Sequence, residues 1–325
     1  MALLLWVWYN VLCMMSIEYF DLVTAPCFRM AGVVEGVSSF QSWKQLGRSR
    51  CGEFRQGGNC NENEERRLAN HKLGARPAMK CKKNNSKQHD YSFNFWIGCR
   101  KFSEGCKNCY MYHAQTRRGV DPQIIRRCAT TWGQPIKWQK DAEKAGQYKS
   151  VFACSYSDFF MAEADEWRED AWALIRRTPN LIWQLTSKRT HLIAERLPAD
   201  WGSGYPNVWL GTSVELKKYL HRLDQLRQIP CVLRWVEFAP TLEDLMPELA
   251  EHIDGFKWAC ASGETGCGVA QPRPWNPQWA RNIRDLCKKK EIYFYFSQIA
   301  GESRFTSRLL DGVEYNGVPP LRVDV

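Results

Sequence analysis

The sequence predicts an α/β fold: a full or partial (β/α) TIM-type barrel with parallel strands, preceded by a poorly structured N-terminal extension. Three observations predict it. Seven short apolar runs alternate with amphipathic stretches. Alternation of that kind produces parallel strands joined by right-handed crossovers. Nearly every apolar run also ends in a cluster of polar residues, and in a parallel barrel those ends share one face.

The elements follow in chain order. Met1–Ile17 is apolar, interrupted only by Asn10 and Ser16. It lacks the basic start and small-residue cleavage site of a secretory signal. Its length is marginal for a membrane span, so a membrane partner is not expected. Gly47–Asn85 is polar, rich in Gly, Arg, Asn and Lys, and without apolar period, as in linker or disordered chain. We therefore expect residues 1–78 to be an extension, disordered or an artefact of the start site, and residues 79–325 to form the barrel domain. The expected strands are Phe93–Ile97, Val151–Cys154, Leu181–Leu185, Val208–Leu210, Val232–Val236, Lys257–Ala261 and Ile292–Phe296. Between them, Asp165–Arg177, Leu216–Arg227, Leu242–His252 and Pro277–Lys289 read as helices. In the last, Trp279, Ile283, Leu286 and Cys287 fall near helical spacing. Trp183, Trp209, Trp235, Trp258 and Trp279 are expected in the core.

The chain has 325 residues, 44% hydrophobic and 25% charged, which excludes wholesale disorder and fibrous classes. Its 14 cysteines lie well below the density of a disulfide scaffold. Free thiols point to a reducing compartment, hence a cytoplasmic location. The net charge of +10 favours anionic partners such as nucleic acid.

The polar strand ends are specific. Cys99 follows the first strand; Ser155, Ser157 and Asp158 follow the second; Thr186, Ser187, Lys188 and Arg189 the third. Thr212, Ser213 and Glu215 follow the fourth, Glu237 the fifth, Ser262, Gly263 and Glu264 the sixth, and Ser297 and Gln298 the seventh. Taken singly, Ser157, Thr186 and Ser213 read as helix caps. Taken together, the set reads as one functional face.

Cys99, Cys106 and Cys109 form a C-x6-C-x2-C pattern in WIGCRKFSEGCKNCY. Spacing alone leaves three readings open. Three thiolates can bind three irons of a 4Fe-4S cluster and leave the fourth iron open, as reductive S-adenosylmethionine chemistry needs. With His113, which lies four residues beyond Cys109, they can instead form a closed Cys3His zinc site. They can also be buried structural cysteines. Gly98 and Gly105 suit positive φ or close approach of backbone to a metal.

The stretch NFWIGCRKFSEGCKNCYMYHA resembles the opening signature of a family of phage and bacterial proteins of unknown function. The likeness continues through VFACSYSDFF, QLTSKR, NVWLGTSVE, WACASGETG and LDGVEYNGVP, and spans about Met79–Pro320. That family is similar to radical S-adenosylmethionine barrels, and distantly to spore photoproduct lyase. The resemblance implies that Cys99, Cys106 and Cys109 hold the 4Fe-4S cluster, with Tyr110 matching the residue after the third cysteine. It also places Ser155, Ser157, Asp158, Lys188, Glu215, Glu237, Gly263 and Glu264 at cofactor-binding positions. Two departures stand out. Asn94-Phe95 replaces the family's Asn-Pro, and Glu237-Phe238-Ala239-Pro240 replaces its Ser-x-Glu-Pro, so the usual acid position is Ala239. Glu237, two residues earlier, keeps the same strand face and is the candidate substitute.

The expected function is thus a radical S-adenosylmethionine enzyme that generates a 5′-deoxyadenosyl radical. Its expected partners are an electron donor and a DNA or modified-nucleotide substrate. The competing reading is a non-catalytic, zinc-stabilised nucleic-acid-binding protein that uses Lys80–Lys87 as a basic arm. Lys188, Arg189 and Arg273 are candidate anion contacts under the first reading, and Arg273 is read first as surface charge.

Overall fold

The computed structural model of the chain describes residues 88–265, 272–301 and 308–322. All of them belong to one compact unit, residues 75–325. The expected extension and the Lys80–Lys87 arm lie outside the described residues.

Seven parallel strands form one curved sheet, a half-barrel, in the order β1-β4-β5-β6-β7-β8-β9. They are β1 (Tyr91–Phe93), β4 (Lys149–Ala153), β5 (Leu181–Ser187), β6 (Val208–Ser213), β7 (Leu233–Phe238), β8 (Trp258–Ser262) and β9 (Tyr293–Gln298). Six of the seven expected strands are therefore present, the first expected run meets the sheet only at Phe93, and the barrel is the partial form. The first departs from expectation. It leaves the sheet at Asn94, whose side chain accepts from Tyr156 N at 2.8 Å and donates to Ser155 Oγ at 3.3 Å. The chain continues as β2 (Trp96–Ile97), which pairs antiparallel with β3 (Arg126–Arg127). The cysteine loop is enclosed between those two short strands.

The main helices are α1 (Tyr110–Arg117), α2 (Gln134–Lys144), α3 (Asp165–Arg176), α4 (His221–Arg227), α5 (Leu249–His252) and α6 (Pro277–Lys289). The α6 boundaries match the periodicity, because Asn276 caps it by accepting from Gln278 N and Pro277 opens it. It buries Ala280, Ile283, Leu286 and Cys287, whereas Trp279 is only half-buried, contrary to its expected core position. The helix expected over Leu242–His252 shrinks to its last turn. Pro247 excludes Met246 from helical geometry, and Thr241 N and Leu242 N instead bond Ser262 O and Glu215 O.

Strand alternation divides the core into two layers. Leu181, Trp183, Leu185, Val208, Leu210, Val236 and Ala259 face outward and pack with helix residues such as Trp172, Leu223 and Ile283. Ile182, Trp209, Leu233, Trp235, Trp258, Cys260 and Tyr295 form a separate cluster on the concave inner face. Its tryptophans interlock: Trp235 stacks on Trp258 at 5.0 Å, and Trp209 meets Trp258 edge-on at 5.9 Å. The residues before β1 reach this face too, where Gln88 Nε2 donates to Cys260 Sγ at 3.3 Å and His89 stacks on Phe152. Among the described residues no helix is long and apolar enough to cross a membrane.

Removing the Ile283 side chain from the outer layer leaves a cavity that a buried helix cannot close. Ile283→Ala should lower unfolding free energy by about 2–5 kcal/mol. Trp279→Ala should lower it less, and urea denaturation of the two variants checks the order.

Candidate active site

The strand ends meet the cysteine loop on one face, and buried charge holds the loop there. Glu215, just beyond β6, has no exposed surface and pairs with Arg222 of α4 at 2.8 Å and with Lys188 Nζ at 3.4 Å. Arg222 is equally buried and also donates to Ser213 O at 2.8 Å. The Ser103 hydroxyl donates to the same carboxylate from the cysteine loop. Gly105 lies so close that a Cβ there would fall 2.3 Å from Glu215 Oε1. The loop must therefore be glycine where it crosses this ion cluster. Burial pushes the Glu215 carboxyl up, but Lys188, Arg222 and the Ser103 hydroxyl more than offset it and hold it below its ordinary value.

A second carboxylate grips the far end of the loop. Glu264, beyond β8, is 4% exposed and accepts from Asn108 Nδ2 at 2.8 Å and from Arg273 N at 2.9 Å, and it pairs with the Arg273 guanidinium. Arg273 Nη1 continues to Glu104 O at 2.9 Å, so Arg273 is a strut of the loop and not surface charge. Burial raises the Glu264 carboxyl, and its bonds to Arg273 and Asn108 bring it below the ordinary range. Gly263 is required by the chain itself: a Cβ there would lie 2.3 Å from Ala300 N.

The cluster after β4 fixes the start of the loop. Ser157 Oγ donates to Gly98 O at 2.5 Å, and Gly98 N donates to Tyr156 O at 3.1 Å. Asp158 is buried and fully bonded, accepting from Ser187 Oγ at 2.8 Å, Phe160 N at 3.0 Å, Lys188 N at 3.3 Å and Arg189 Nη1 at 2.9 Å. Arg189 Nη2 then reaches Arg100 O at 2.7 Å. Ser155 Oγ accepts from Ser92 and Asn94, and its carbonyl accepts from the Tyr110 hydroxyl. Of the eight positions the resemblance places at the cofactor, Ser155, Ser157, Asp158, Glu215 and Glu264 hold the loop or its flanks through their side chains.

Lys188 and Glu237 differ from those five. Burial lowers Lys188, yet Glu215, Cys106 and Glu237 together raise it above its ordinary value, so it is a firmly charged ammonium. Glu237 lies on the inner face of β7, in register with Ser213 and Cys260. No cation stands within ion-pair distance of it among the described residues. Burial raises its carboxyl despite Lys188 and a hydrogen bond from Gln88.

The three thiols all belong to this anchored loop. Burial pushes Cys99 up to about 12, with Asp158 adding to the shift, Arg189 opposing it, and Cys106 and Cys109 adding again. Burial likewise raises Cys109, and Cys106 adds to that shift. Among the described residues no set of three His, Cys, Asp or Glu converges on a single metal ion. A closed zinc site needs its sulfurs about 2.3 Å from one ion. Thiolates are the donors of zinc sites and of iron–sulfur clusters alike, and three of them match the three protein-bound irons of a 4Fe-4S cluster with one iron left open.

Reading the sequence did not reveal Ser103, Asn108 and Arg222 as parts of the site. Arg222 is buried with Leu223 and Leu226 of α4, a place where a charged residue is not expected from sequence because arginine is almost never fully buried unless paired.

Both anchoring carboxyls lie below their ordinary value in the folded chain. Their contribution is complete above the unfolded carboxylate value of about 4.3 and is lost as pH falls through the lower folded values. Glu215→Gln should therefore cost about 3–5 kcal/mol near neutral pH, because it leaves the buried Arg222 without its carboxylate and Lys188 without its ion-pair partner. It should also reduce the loss of stability on acidification; urea unfolding at several pH values measures both effects.

Among curated proteins none matches the chain. Solved structures similar to it include spore photoproduct lyase complexed with dinucleoside spore photoproduct, at 13% identity over 70% of this chain and 81% of that one, with a TM-score of 0.46. A mutant of that lyase in which serine replaces a cysteine matches at 13% identity over 69% of this chain and 80% of the other, with a TM-score of 0.45. A further mutant with bound AdoMet and dinucleoside spore photoproduct matches at 15% identity over 67% and 66%, with a TM-score of 0.42. Residues 84–319 match the family described as protein of unknown function, DUF5131, and the chain belongs to that family.

Proposed function

We propose that this chain is a radical S-adenosylmethionine enzyme in which Cys99, Cys106 and Cys109 hold a 4Fe-4S cluster. The observation that carries the reading is the loop itself. It bears three thiols across the C-terminal ends of parallel strands, and buried ion clusters from separate strands hold it there. Active sites of parallel barrels occupy that face. The chemistry such a cluster supplies is one-electron reductive cleavage of a carbon–sulfur bond in S-adenosylmethionine, which gives a 5′-deoxyadenosyl radical able to abstract hydrogen.

The chain's own residues then have definite tasks. Lys188 offers a permanent positive charge beside Cys106, suited to the carboxylate of a methionyl group. Glu237 presents a carboxyl without a cation partner to the inner face, suited to accept from an ammonium or a ribose hydroxyl. Glu215, Glu264 and Asp158 act as positioning residues that keep the loop in place. The tryptophans of the inner face exclude water from the space in which a radical would form. The net charge of +10 supports a DNA or nucleotide substrate.

Metal analysis of protein purified without oxygen tests the reading. It predicts about four irons and four sulfides per chain, lost in a Cys99/Cys106/Cys109→Ala variant. About one zinc without sulfide would overturn it in favour of a zinc-stabilised binding protein.

A further inference from the structure

The inner face carries a polar feature that the cysteine loop does not use. Gln184 lies at the middle of β5 with no exposed surface, and neither its Nε2 nor its Oε1 has a hydrogen-bond partner among the described residues. Two residues further along the same face, Thr186 Oγ1 is also without a partner. Strand alternation puts both on the side of Ile182, hence on the concave face and away from the helices. A buried amide with donor and acceptor both unmet costs about 1–3 kcal/mol per group. Such a residue is more expensive in the free protein than any apolar side chain of its size.

The surroundings narrow what would pair with it. Gln184 stands in register between Phe152 of β4 and Trp209 of β6. Thr186 stands in register with Gly211, over which the Trp235 indole lies, and the Trp235 ring is 6.2 Å from that of Phe152. Thr186, Lys188 and Glu237 at the strand ends are partly exposed and Gln184 is buried one step below them, so the amide lies beneath the open end of this face. A ligand suited to that place is flat, is faced by aromatic rings, and shows a neighbouring acceptor and donor at one edge. Those are the properties of a nucleobase, which a Gln amide pairs in bidentate fashion.

We propose that Gln184 is the residue that reads a substrate nucleobase at the inner face, with Thr186 as a second contact. The proposal rests on the enzyme reading above for its substrate class. It explains why an amide occupies a site where leucine would be more stable: the unmet groups are reserved for the base.

The test uses full-length protein with its metal and four single-stranded hexanucleotides, each of one base, measured by fluorescence anisotropy with and without S-adenosylmethionine. Wild type should prefer one base over the others, and Gln184→Leu should weaken that binding about tenfold or more and abolish the preference. Gln184→Leu should also leave the free protein as stable as wild type or more so, in urea denaturation. Equal binding of the four probes by wild type, or an unchanged preference in the variant, overturns the proposal. A variant that loses affinity for S-adenosylmethionine instead overturns it as well, because the base read would then be the cofactor's adenine. Iron content of the same samples separates the two readings: intact iron with no base preference removes this proposal alone, whereas absent iron with a base preference removes the enzyme reading alone.

Discussion

Glu215 has no exposed surface, and its charge is balanced by Arg222, itself buried, and by Lys188. The loop that carries the thiols is laid over this carboxylate through the Ser103 hydroxyl and the bare backbone of Gly105. A buried ion cluster adds little net stability over apolar packing, but once formed it punishes any displacement of a partner. That asymmetry suits a site whose geometry must hold while charge moves nearby. The second clamp, Glu264 with Arg273 and Asn108, repeats the arrangement from another strand end, so the loop cannot pivot about a single contact.

The concave face works by the opposite means. Its depth is filled by Trp209, Trp235 and Trp258, with rings that interlock and exclude water. Against that apolar lining the side-chain polar atoms of Gln184 and Thr186 have no hydrogen-bond partner among the described residues, and Glu237 has no cation within ion-pair distance there. Under the proposed reading, rigid charge pairing holds the cysteine loop while the unmet polar groups of the inner face are left for a ligand.

Much of this was legible in the sequence, for identifiable reasons. Buried parallel strands are short apolar runs, and six of the seven expected runs occur as strands of the sheet, the first meeting it only at Phe93. Helix α6 was legible because Asn276 and Pro277 mark its start and its apolar period is strong. The helix expected over Leu242–His252 is cut short by Pro247, and Trp279, expected in the core from its near-helical spacing with Ile283, is only half-buried in the first turn of α6. The strand-end residues were legible as a set, since every parallel strand brings its C-terminal end to the same face. Their division of labour was not. Whether a carboxylate meets a ligand or an arginine depends on residues such as Arg222 and Arg273, which are distant in sequence or sit in ordinary polar surroundings. Gln184 was hidden for a related reason: its lack of partners exists only once its neighbours on β4 and β6 are known.

The central claim is that the anchored thiols support reductive cleavage of S-adenosylmethionine. The most direct measurement is 5′-deoxyadenosine and methionine formed from S-adenosylmethionine by the anaerobic, dithionite-reduced protein, followed by chromatography. The account predicts both products in equal amounts from wild type and neither from Cys106→Ala. An iron-loaded protein that forms neither product, or a Cys106→Ala variant that forms them as wild type does, would contradict it.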